Sequence, residues 1–387
     1  MAPALILLLS FALAAALVAF TMPTLIRVAE LKRLVDEPEE GRKMHEQPVP
    51  TIGGVAVYLG FMISCLMWLP HAHSELSSAH NWGAALAALT ALFFMGVKDD
   101  LVGLSPSKKL LLHLFLGGVL IFEGGFRISS FDDLLGLHEI PFYVSSAFSL
   151  FVYIVVVNSI NLIDGVDGLA GGFGVIAALA FGLLFAVAGA YAPATVAFAL
   201  AGGLAGFLKF NWTPARIFLG DGGSLLAGLV FYVLCVEWMN TPMDGVPEPI
   251  SAIPQPLLSM SILAYPLVDT LRVFTLRVLK GRSPFSPDRN HLHHRMMALR
   301  WGHRRTSTTV YLYSVIMLLL PFLLFSFVPW NATVLFLLEL GIAFALFLPI
   351  LRKSLAMKAE RSEELEQKRR KPSAPPPLKD AAWQRAK

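Results

Sequence analysis

Charged residues are scarce in this chain: Asp, Glu, Lys and Arg make up 15% of its 387 residues. A soluble domain carries about 25%. Hydrophobic residues make up 56%, and the mean hydropathy is +0.64. This composition excludes an intrinsically disordered chain and argues against a soluble multidomain enzyme. It indicates an integral membrane protein, because a spanning helix needs about 20 predominantly apolar residues.

Cysteine is almost absent, and several nucleotide and metal motifs are missing. The two cysteines, Cys65 and Cys235, lie in apolar runs, which excludes a disulfide scaffold and a cysteine-based zinc site. The chain contains no G-x-x-x-x-G-K-[ST], no H-E-x-x-H and no complete G-x-G-x-x-G, so P-loop nucleotidases and zinc proteases of that type are excluded. The net charge of +4 does not indicate a nucleic-acid partner, because the basic residues are sorted by membrane side.

Hydropathy predicts an all-α, polytopic membrane protein with about eleven spanning helices. Within 169–208, Pro193 and the small pair at 202–203 favour two spans over one long helix. The predicted spans are 4–26, 51–70, 82–97, 109–123, 142–160, 169–191, 193–208, 222–239, 257–276, 309–328 and 332–351.

The basic residues predict the orientation. With the N-terminus outside, 29 of the 31 Lys and Arg residues fall in cytoplasmic segments or the C-terminal tail, which predicts an N-out, C-in topology. The run 4–26 lacks a preceding basic region, so it is interpreted as a span rather than a cleaved signal peptide. Residues 1–351 are predicted to form the membrane domain. Residues 352–387 are predicted to form a basic, largely disordered cytoplasmic tail that contacts anionic lipid.

Polar clusters lie at the cytoplasmic ends of several predicted spans. Each has an ordinary explanation when taken alone, as interfacial charge, turn residues, a helix cap or loop histidines. Five carboxylates on one face are harder to explain in that way. Ionisable groups within a membrane cost free energy, so their presence usually indicates a function. The clusters are Asp99 and Asp100; Asn161, Asp164 and Asp167; Asp221; and His291, His293 and His294.

Clustered carboxylates repel each other unless a positive charge lies among them. Oxygen ligands select a hard cation, Mg²⁺ or Mn²⁺. Because Mg²⁺ usually takes one or two protein carboxylates and completes its shell with water and phosphate, the sequence predicts a phosphate or diphosphate substrate. Gly220, Gly222 and Gly223 open a predicted helix, whose N-terminus favours an anion. Exchange of one phosphoric anhydride for another fits the absence of an ATP-binding motif, because such an exchange needs little net driving force.

Five ordered motifs between residues 25 and 300 resemble those of the polyprenyl-phosphate N-acetylhexosamine-1-phosphate transferases. They are Arg42-Lys43-Met44-His45 with Pro50-Thr51-Ile52-Gly53-Gly54, Lys98-Asp99-Asp100 with Gly103-Leu104-Ser105-Pro106, Asn161 to Asp167, Asn211 with Phe218 to Ser224, and Pro284 to Arg295.

The histidine motif resembles that of the bacterial undecaprenyl-phosphate GlcNAc-1-phosphate transferases, which initiate O-antigen, common-antigen or teichoic-acid glycans. The phospho-MurNAc-pentapeptide translocases usually have three consecutive histidines, whereas Leu292 interrupts them here. The resemblance implies a cytoplasmic-face enzyme of the bacterial inner membrane. It would transfer GlcNAc-1-phosphate from UDP-GlcNAc to undecaprenyl phosphate, with UDP-MurNAc-pentapeptide as the alternative donor.

The resemblance also implies roles for individual residues. The implied catalytic residues are Asp99, Asp100, Asp164 and Asp167, and the implied metal ligands are Asp221, Asp164 and Asn161. The implied substrate-binding residues are His291, His293, His294, Arg289, Arg295, Asn211, Phe218, Lys43, His45 and Lys108. Among them the histidines and arginines would grip the diphosphate or sugar, Asn211 and Phe218 would hold uracil, and the others would contact phosphate.

Several alternatives stay open at this stage. A proton-coupled secondary transporter would also use membrane Asp and His residues, but no internal repeat supports it. The three histidines could bind zinc, and Phe218 could be core packing. Asp269 and Arg272, three residues apart, are interpreted as an internal ion pair. The sequence does not distinguish a direct transfer from a two-step transfer. It also leaves the oligomeric state open, and a homodimer is compatible with it.

Overall fold

In the residues that the computed structural model describes (2–32, 34, 49–72, 80–281, 290–327 and 331–370), the chain is a bundle of α-helices. A π-helical turn, Val119–Glu123, continues the fourth helix. The helices are α1 (Pro3–Leu31), α2 (Gly54–Trp68), α3 (Trp82–Val102), α4 (Pro106–Gly118), α5 (Phe142–Leu162), α6 (Leu169–Val187), α7 (Tyr191–Asn211), α8 (Gly220–Met239), α9 (Gln255–Ile262), α10 (Ala264–Leu279), α11 (Leu292–Ala298), α12 (His303–Phe325), α13 (Ala332–Ala345) and α14 (Leu348–Arg370).

The all-helical, membrane-spanning class is confirmed. Eight segments of the described chain are long and apolar enough to cross a membrane, and the pair α9–α10, bent by 81°, makes a ninth if it is one span. Helices occur at all eleven predicted positions, but α3 and α4 are not among those segments. The count of eleven and the orientation therefore remain predictions.

The predicted division of 169–208 is confirmed. Helix α6 ends at Val187 and α7 begins at Tyr191. Gly189 adopts a φ of +73° in the turn between them, a left-handed conformation that glycine adopts without steric penalty.

Helix α8 is the central element of the bundle. Its residues from Gly222 to Trp238 are buried, and it packs against α3 and α5 as well as α2. Glycines allow this close contact: a Cβ on Gly54 would lie 2.3 Å from the Gly223 nitrogen, and one on Gly96 would lie 2.6 Å from the Gly222 Cα. Small residues let membrane helices approach backbone to backbone, so α2 and α3 meet α8 at its N-terminus.

The described part of the predicted C-terminal tail is helical. Helix α14 continues to Arg370, so residues 352–370, predicted as part of a largely disordered tail, are helical. The reason is local composition, because Leu, Glu, Gln, Lys and Arg are all strong helix formers. Residues 371–387 lie outside the described part of the chain.

Candidate active site

Carboxylates from three segments converge on the N-terminus of α8. Asp100, at the end of α3, accepts hydrogen bonds from the backbone N–H groups of Asp221 (2.9 Å) and Gly222 (3.1 Å). Asp164, in the α5–α6 turn, accepts one from the Gly220 N–H at 2.9 Å. These bonds satisfy N–H groups that a helix start leaves unpaired and place negative charge at the positive end of the helix dipole.

Gly220 is required by this geometry. Its φ is +72°, and a Cβ there would lie 1.8 Å from the Thr51 carbonyl oxygen and 2.7 Å from Asp100 Oδ2. The close approach joins the start of α8 to the segment before α2, since the Gly54 N–H also donates to the Leu219 carbonyl at 2.8 Å. Three parts of the predicted motif set therefore meet at one backbone turn.

Asn161 and Lys109 connect the remaining acids. The Asn161 amide donates to Asp221 Oδ1 at 2.8 Å and to the Ser224 hydroxyl at 2.9 Å. Lys109 of α4 forms an ion pair with Asp99, and its Nζ lies 3.6 Å from Asp221 Oδ2. Asp99 also accepts a hydrogen bond from the Leu104 N–H at 2.7 Å. We call Asp99, Asp100, Asp164 and Asp221 the carboxylate cluster.

The sequence favours Lys108 as a phosphate contact and assigns no role to Lys109. In the structure Lys108 is exposed, whereas Lys109 points into the carboxylate cluster. Which of two adjacent lysines faces inward depends on the rotation of α4 about its axis. The buried residues His113 and Leu116 follow Lys109 at helical spacing and are the one sequence signal that could have identified its face.

Electrostatic repulsion within the carboxylate cluster is strong. Burial raises the pKa of Asp164 well above its usual range, and the nearby Asp221 and Asp100 raise it further, while the Gly220 N–H opposes the shift. A buried carboxyl with like-charged neighbours keeps its proton unless a cation is supplied. Lys109 supplies one positive charge for the four carboxylates of the cluster, which leaves room for a further cation.

The donor set suits a hard divalent cation that is held largely by its substrate. In the described ranges no group of three or more His, Cys, Asp or Glu side chains has an arrangement that could hold a metal ion. The Asp99 and Asp221 carboxyl groups nevertheless lie close enough to share a proton. A bound cation would also relieve the repulsion between them when both are ionised. Mg²⁺ needs only one or two protein carboxylates when phosphates complete its shell, so these residues fit that ion.

Asp167 belongs to a different set of contacts. Its Oδ1 lies 3.1 Å from His303 Nδ1, and its Oδ2 accepts a hydrogen bond from the Ala215 N–H at 3.0 Å. The Ser307 hydroxyl donates to its backbone carbonyl at 2.7 Å. Asp167 thus links the α5–α6 turn to α12 and to the α7–α8 loop. The sequence analysis did not identify His303, which lies outside every motif that it used.

Asn211 has a similar linking geometry. Its Oδ1 accepts from the Gly168 N–H at 2.9 Å, and its Nδ2 donates to the Ile217 carbonyl at 2.8 Å, so both ends of the amide bind backbone. Phe218 is partly buried, and its backbone pairs with Pro50 and Gly53. Uracil binding by these two residues stays a prediction. Lys43, His45 and Arg289, the other predicted substrate contacts, lie outside the described residues.

The three histidines, which we call the histidine cluster (His291, His293 and His294), pack together beside the α5–α6 turn. The His293 and His294 ring centroids are 4.3 Å apart, and a Cβ on Gly165 would lie 3.6 Å from His293 Nε2. The structure therefore brings the histidine cluster next to the segment that carries Asp164.

Several polar atoms of this cluster are buried without a partner. In the part of the chain that the structure describes, His291 Nε2 and both ring nitrogens of His293 have no hydrogen-bond partner. Burial, with His294 nearby, lowers the pKa of His293 to about 3. Buried polar groups are normally paired, so these nitrogens indicate a ligand at this position.

Arg295 and the Asp269–Arg272 pair support the histidine cluster from outside. Arg295 donates to Asn290 Oδ1 at 2.7 Å and to the Ser354 hydroxyl of α14 at 3.3 Å. The predicted Asp269–Arg272 ion pair is confirmed, with 2.9 Å between Arg272 Nη2 and Asp269 Oδ1. Asp269 Oδ2 also lies 3.1 Å from His291 Nδ1, a contact that the sequence does not predict.

Residues 82–239, from α3 through α8, match the family model described as glycosyl transferase family 4. This segment contains all four members of the carboxylate cluster. The histidine cluster lies beyond its end.

Named relatives extend the match over most of the chain. The decaprenyl-phosphate N-acetylglucosaminephosphotransferase of Mycolicibacterium smegmatis is 30% identical over 317 residues, covering 78% of each protein. The protein of that name from Mycobacterium leprae is 31% identical and covers 78% of this chain and 79% of its own length. The undecaprenyl-phosphate alpha-N-acetylglucosaminyl 1-phosphate transferase of Escherichia coli (strain K12) is 30% identical over 81% of this chain and 83% of its own length.

Proposed function

Because this chain belongs to glycosyl transferase family 4, among the polyprenyl-phosphate N-acetylhexosamine-1-phosphate transferases, we propose that it transfers GlcNAc-1-phosphate from UDP-GlcNAc to undecaprenyl phosphate. The products are undecaprenyl-diphosphate-GlcNAc and UMP. We propose that the reaction requires Mg²⁺, takes place on the cytoplasmic face of the bacterial inner membrane and initiates a cell-envelope glycan.

The observation that carries the proposal is the arrangement around the N-terminus of α8. Asp99 and Asp221 face each other there, with Lys109 between them, and the Asn161 amide holds Asp221. Asp100 and Asp164 occupy the first N–H groups of α8, so Lys109 is the group that attracts a phosphate, and the paired carboxylates favour the divalent cation that accompanies a diphosphate. A transporter usually keeps its ionisable groups near the middle of the bilayer, whereas these carboxylates lie at helix ends.

The reaction exchanges one phosphoric anhydride for another. An oxygen of the lipid phosphate attacks the phosphorus atom that bears the sugar, and the bond from that phosphorus to the bridging oxygen of UDP breaks, so that UMP leaves with the bond electrons. Asp99 takes up or orients the proton of the lipid phosphate, while Lys109 attracts its negative charge. Asp100 and Asp164 hold the first turn of α8 so that Asp221 keeps its position.

Asp221 would hold the divalent cation, with the Asn161 amide keeping Asp221 in place, while Asp99 is left for the proton of the lipid phosphate. When bound, this ion neutralises charge on the diphosphate and on the departing UMP. Two members of the histidine cluster, His291 and His293, have buried ring nitrogens without a partner in the described structure, and these nitrogens offer hydrogen bonds to the phosphate or sugar of the donor.

GlcNAc is the favoured sugar because the relatives named above are N-acetylglucosamine transferases. GalNAc, FucNAc and other N-acetylated hexoses are the alternative sugars. The interruption of the histidines by Leu292 disfavours UDP-MurNAc-pentapeptide.

The test is UMP release by the purified protein in detergent, supplied with undecaprenyl phosphate, UDP-GlcNAc and Mg²⁺. We expect release only when the lipid and the metal are both present, so that omission of the lipid or addition of EDTA abolishes it. Asp221→Asn should abolish turnover in protein that is still folded. Turnover with a different UDP-sugar alone would correct the donor, and inactivity of folded protein with every UDP-sugar would overturn the proposal.

A further inference from the structure

Asp269 receives hydrogen bonds from three groups that belong to two separate segments. Within α10, Arg272 Nη2 lies 2.9 Å from its Oδ1. From the segment that begins α11, His291 Nδ1 lies 3.1 Å from its Oδ2, and the Leu292 N–H donates to both oxygens at 3.0 and 3.1 Å. The carboxyl group is 1% exposed, so these bonds are shielded from water.

Asp269 acts as the N-cap of α11 from another helix. Leu292 is the first residue of α11, and the capping residue His291 makes no side-chain bond to the helix backbone. A helix of seven residues is too short to be stable by itself. The Arg272 guanidinium also donates to the Asn290 carbonyl, so the α10 pair holds three consecutive residues at the start of α11.

The same contact assigns the ring nitrogens of His291. Because Nδ1 faces the Asp269 carboxylate, Nδ1 carries a proton, and Nε2 is the atom that remains for another partner. In the described structure Nε2 is buried and unpaired. The His291 ring stacks on that of His293 at 5.7 Å with 13° between the planes, so fixing His291 also fixes its neighbour against the α5–α6 turn.

We propose that Asp269 is a positioning residue for the transfer reaction: neutralised by Arg272, its carboxylate holds His291 and the first turn of α11 so that the histidine cluster meets the sugar-phosphate part of the donor, where His291 Nε2 accepts a hydrogen bond from a hydroxyl group. This inference rests on the proposed function. Asp269 itself touches no substrate in this account. Its effect passes through His291, in the way that outer-shell carboxylates orient functional histidines in other sites.

The first measurement is steady-state kinetics of Asp269→Asn, which keeps the shape of the side chain but removes its charge. We expect a loss of about 100-fold in kcat/KM for the UDP-sugar, because small misplacements of binding groups have effects of that size. The KM for undecaprenyl phosphate should not change. Asp269→Glu, which restores the carboxylate, should recover part of the loss.

Two further variants separate positioning from general stability. His291→Gln combined with Asp269→Asn should be no more impaired than the worse single variant, because residues that act as a unit are not additive. Glu339→Gln is the matched control: Glu339 is also a buried carboxyl, but it lies on α13 near Ser261. The Glu339→Gln variant should have the same kcat and KM values as the unmodified protein.

The second measurement, amide hydrogen exchange over residues 290–299, does not depend on activity. Asp269→Asn should accelerate exchange of the α11 amides, and Glu339→Gln should not. Unchanged exchange, equal rises in both KM values or additive losses in the double variant would each overturn the inference. Faster exchange in a protein whose unmodified form transfers no sugar would overturn the proposed function while supporting the contact. If Asp269→Asn does not fold, Arg272→Gln, which removes the charge that neutralises Asp269 and the bond to the Asn290 carbonyl, carries both measurements, and full activity with unchanged exchange would overturn the inference.

Discussion

At the scale of a single residue, Asp164 lowers the stability of the folded protein in order to build the site. Its carboxyl lies among backbone atoms and near two other carboxylates, and this environment raises its pKa. An acid whose pKa is higher in the folded state binds its proton more tightly there. Stability therefore falls as pH rises above the unfolded value of about 3.9.

Asp164→Asn should consequently stabilise the metal-free protein while impairing transfer. An amide oxygen can still accept from the Gly220 N–H, and no charge is buried. In thermal unfolding at pH 7.5 we expect a higher midpoint than for the unmodified protein. The difference should shrink as pH falls toward the unfolded pKa of about 3.9, because below that pH Asp164 is protonated in both states, and a lower midpoint at neutral pH would contradict this description of the cluster.

Lys109 and Lys108 provide a second residue-scale test, because the sequence favoured one lysine and the structure favours its neighbour. Lys109→Met removes the ammonium group that lies between Asp99 and Asp221. We expect a loss of at least about 100-fold in kcat, comparable to losing one charge-stabilising donor. Lys108→Met, made in parallel and assayed for UMP release, should have a much smaller effect, and the reverse ranking would show that α4 is rotated.

At the scale of helices, the site depends on glycines that let α2 and α3 approach α8. A Cβ on Gly96 would lie 2.6 Å from the backbone of Asp221 and Gly222, atoms that cannot move without displacing the turn that carries Asp221. Overpacking of this kind typically destabilises by about 1–3 kcal/mol.

Gly96→Ala should therefore lower the thermal midpoint and impair activity together. The matched control is Gly341→Ala in α13, where a Cβ would meet nothing within 4 Å and where alanine is the better helix former. The control should have an unchanged or higher midpoint. Equal behaviour of the two variants in the same thermal assay would mean that the α3–α8 contact is less close than described.

At the scale of the whole molecule, the orientation predicted by the basic residues is open to a direct test. Cys65 and Cys235 are buried, so a thiol reagent should react weakly with the unmodified protein. In intact cells an impermeant maleimide should label His138→Cys, in the predicted outer α4–α5 segment, and should not label Ser107→Cys until the membrane is opened. The opposite pattern would place the carboxylate cluster on the outer face.

Much of the molecule was predictable because the relevant physics is local. Apolar runs of about 20 residues predict membrane helices wherever they occur, and Asp and Gly at helix ends predict turns and caps. The helices, the division of 169–208 and the placement of the acids at helix ends all followed in this way. For 352–370 the charged composition predicts disorder, whereas the structure has a helix there, because the same residues are strong helix formers.

By itself, the sequence determined the membrane class, the family and the set of residues from which the site is built. Only the tertiary structure decided which of these residues meet. Asp164 joins Asp100 and Asp221 while Asp167 pairs with His303, and Asp269 reaches the histidine cluster from a helix outside the recognised motifs. The physical reason is that hydropathy and charge act along the chain, whereas contacts depend on the rotation and close approach of helices distant in sequence, which the glycines of α2, α3 and α8 allow.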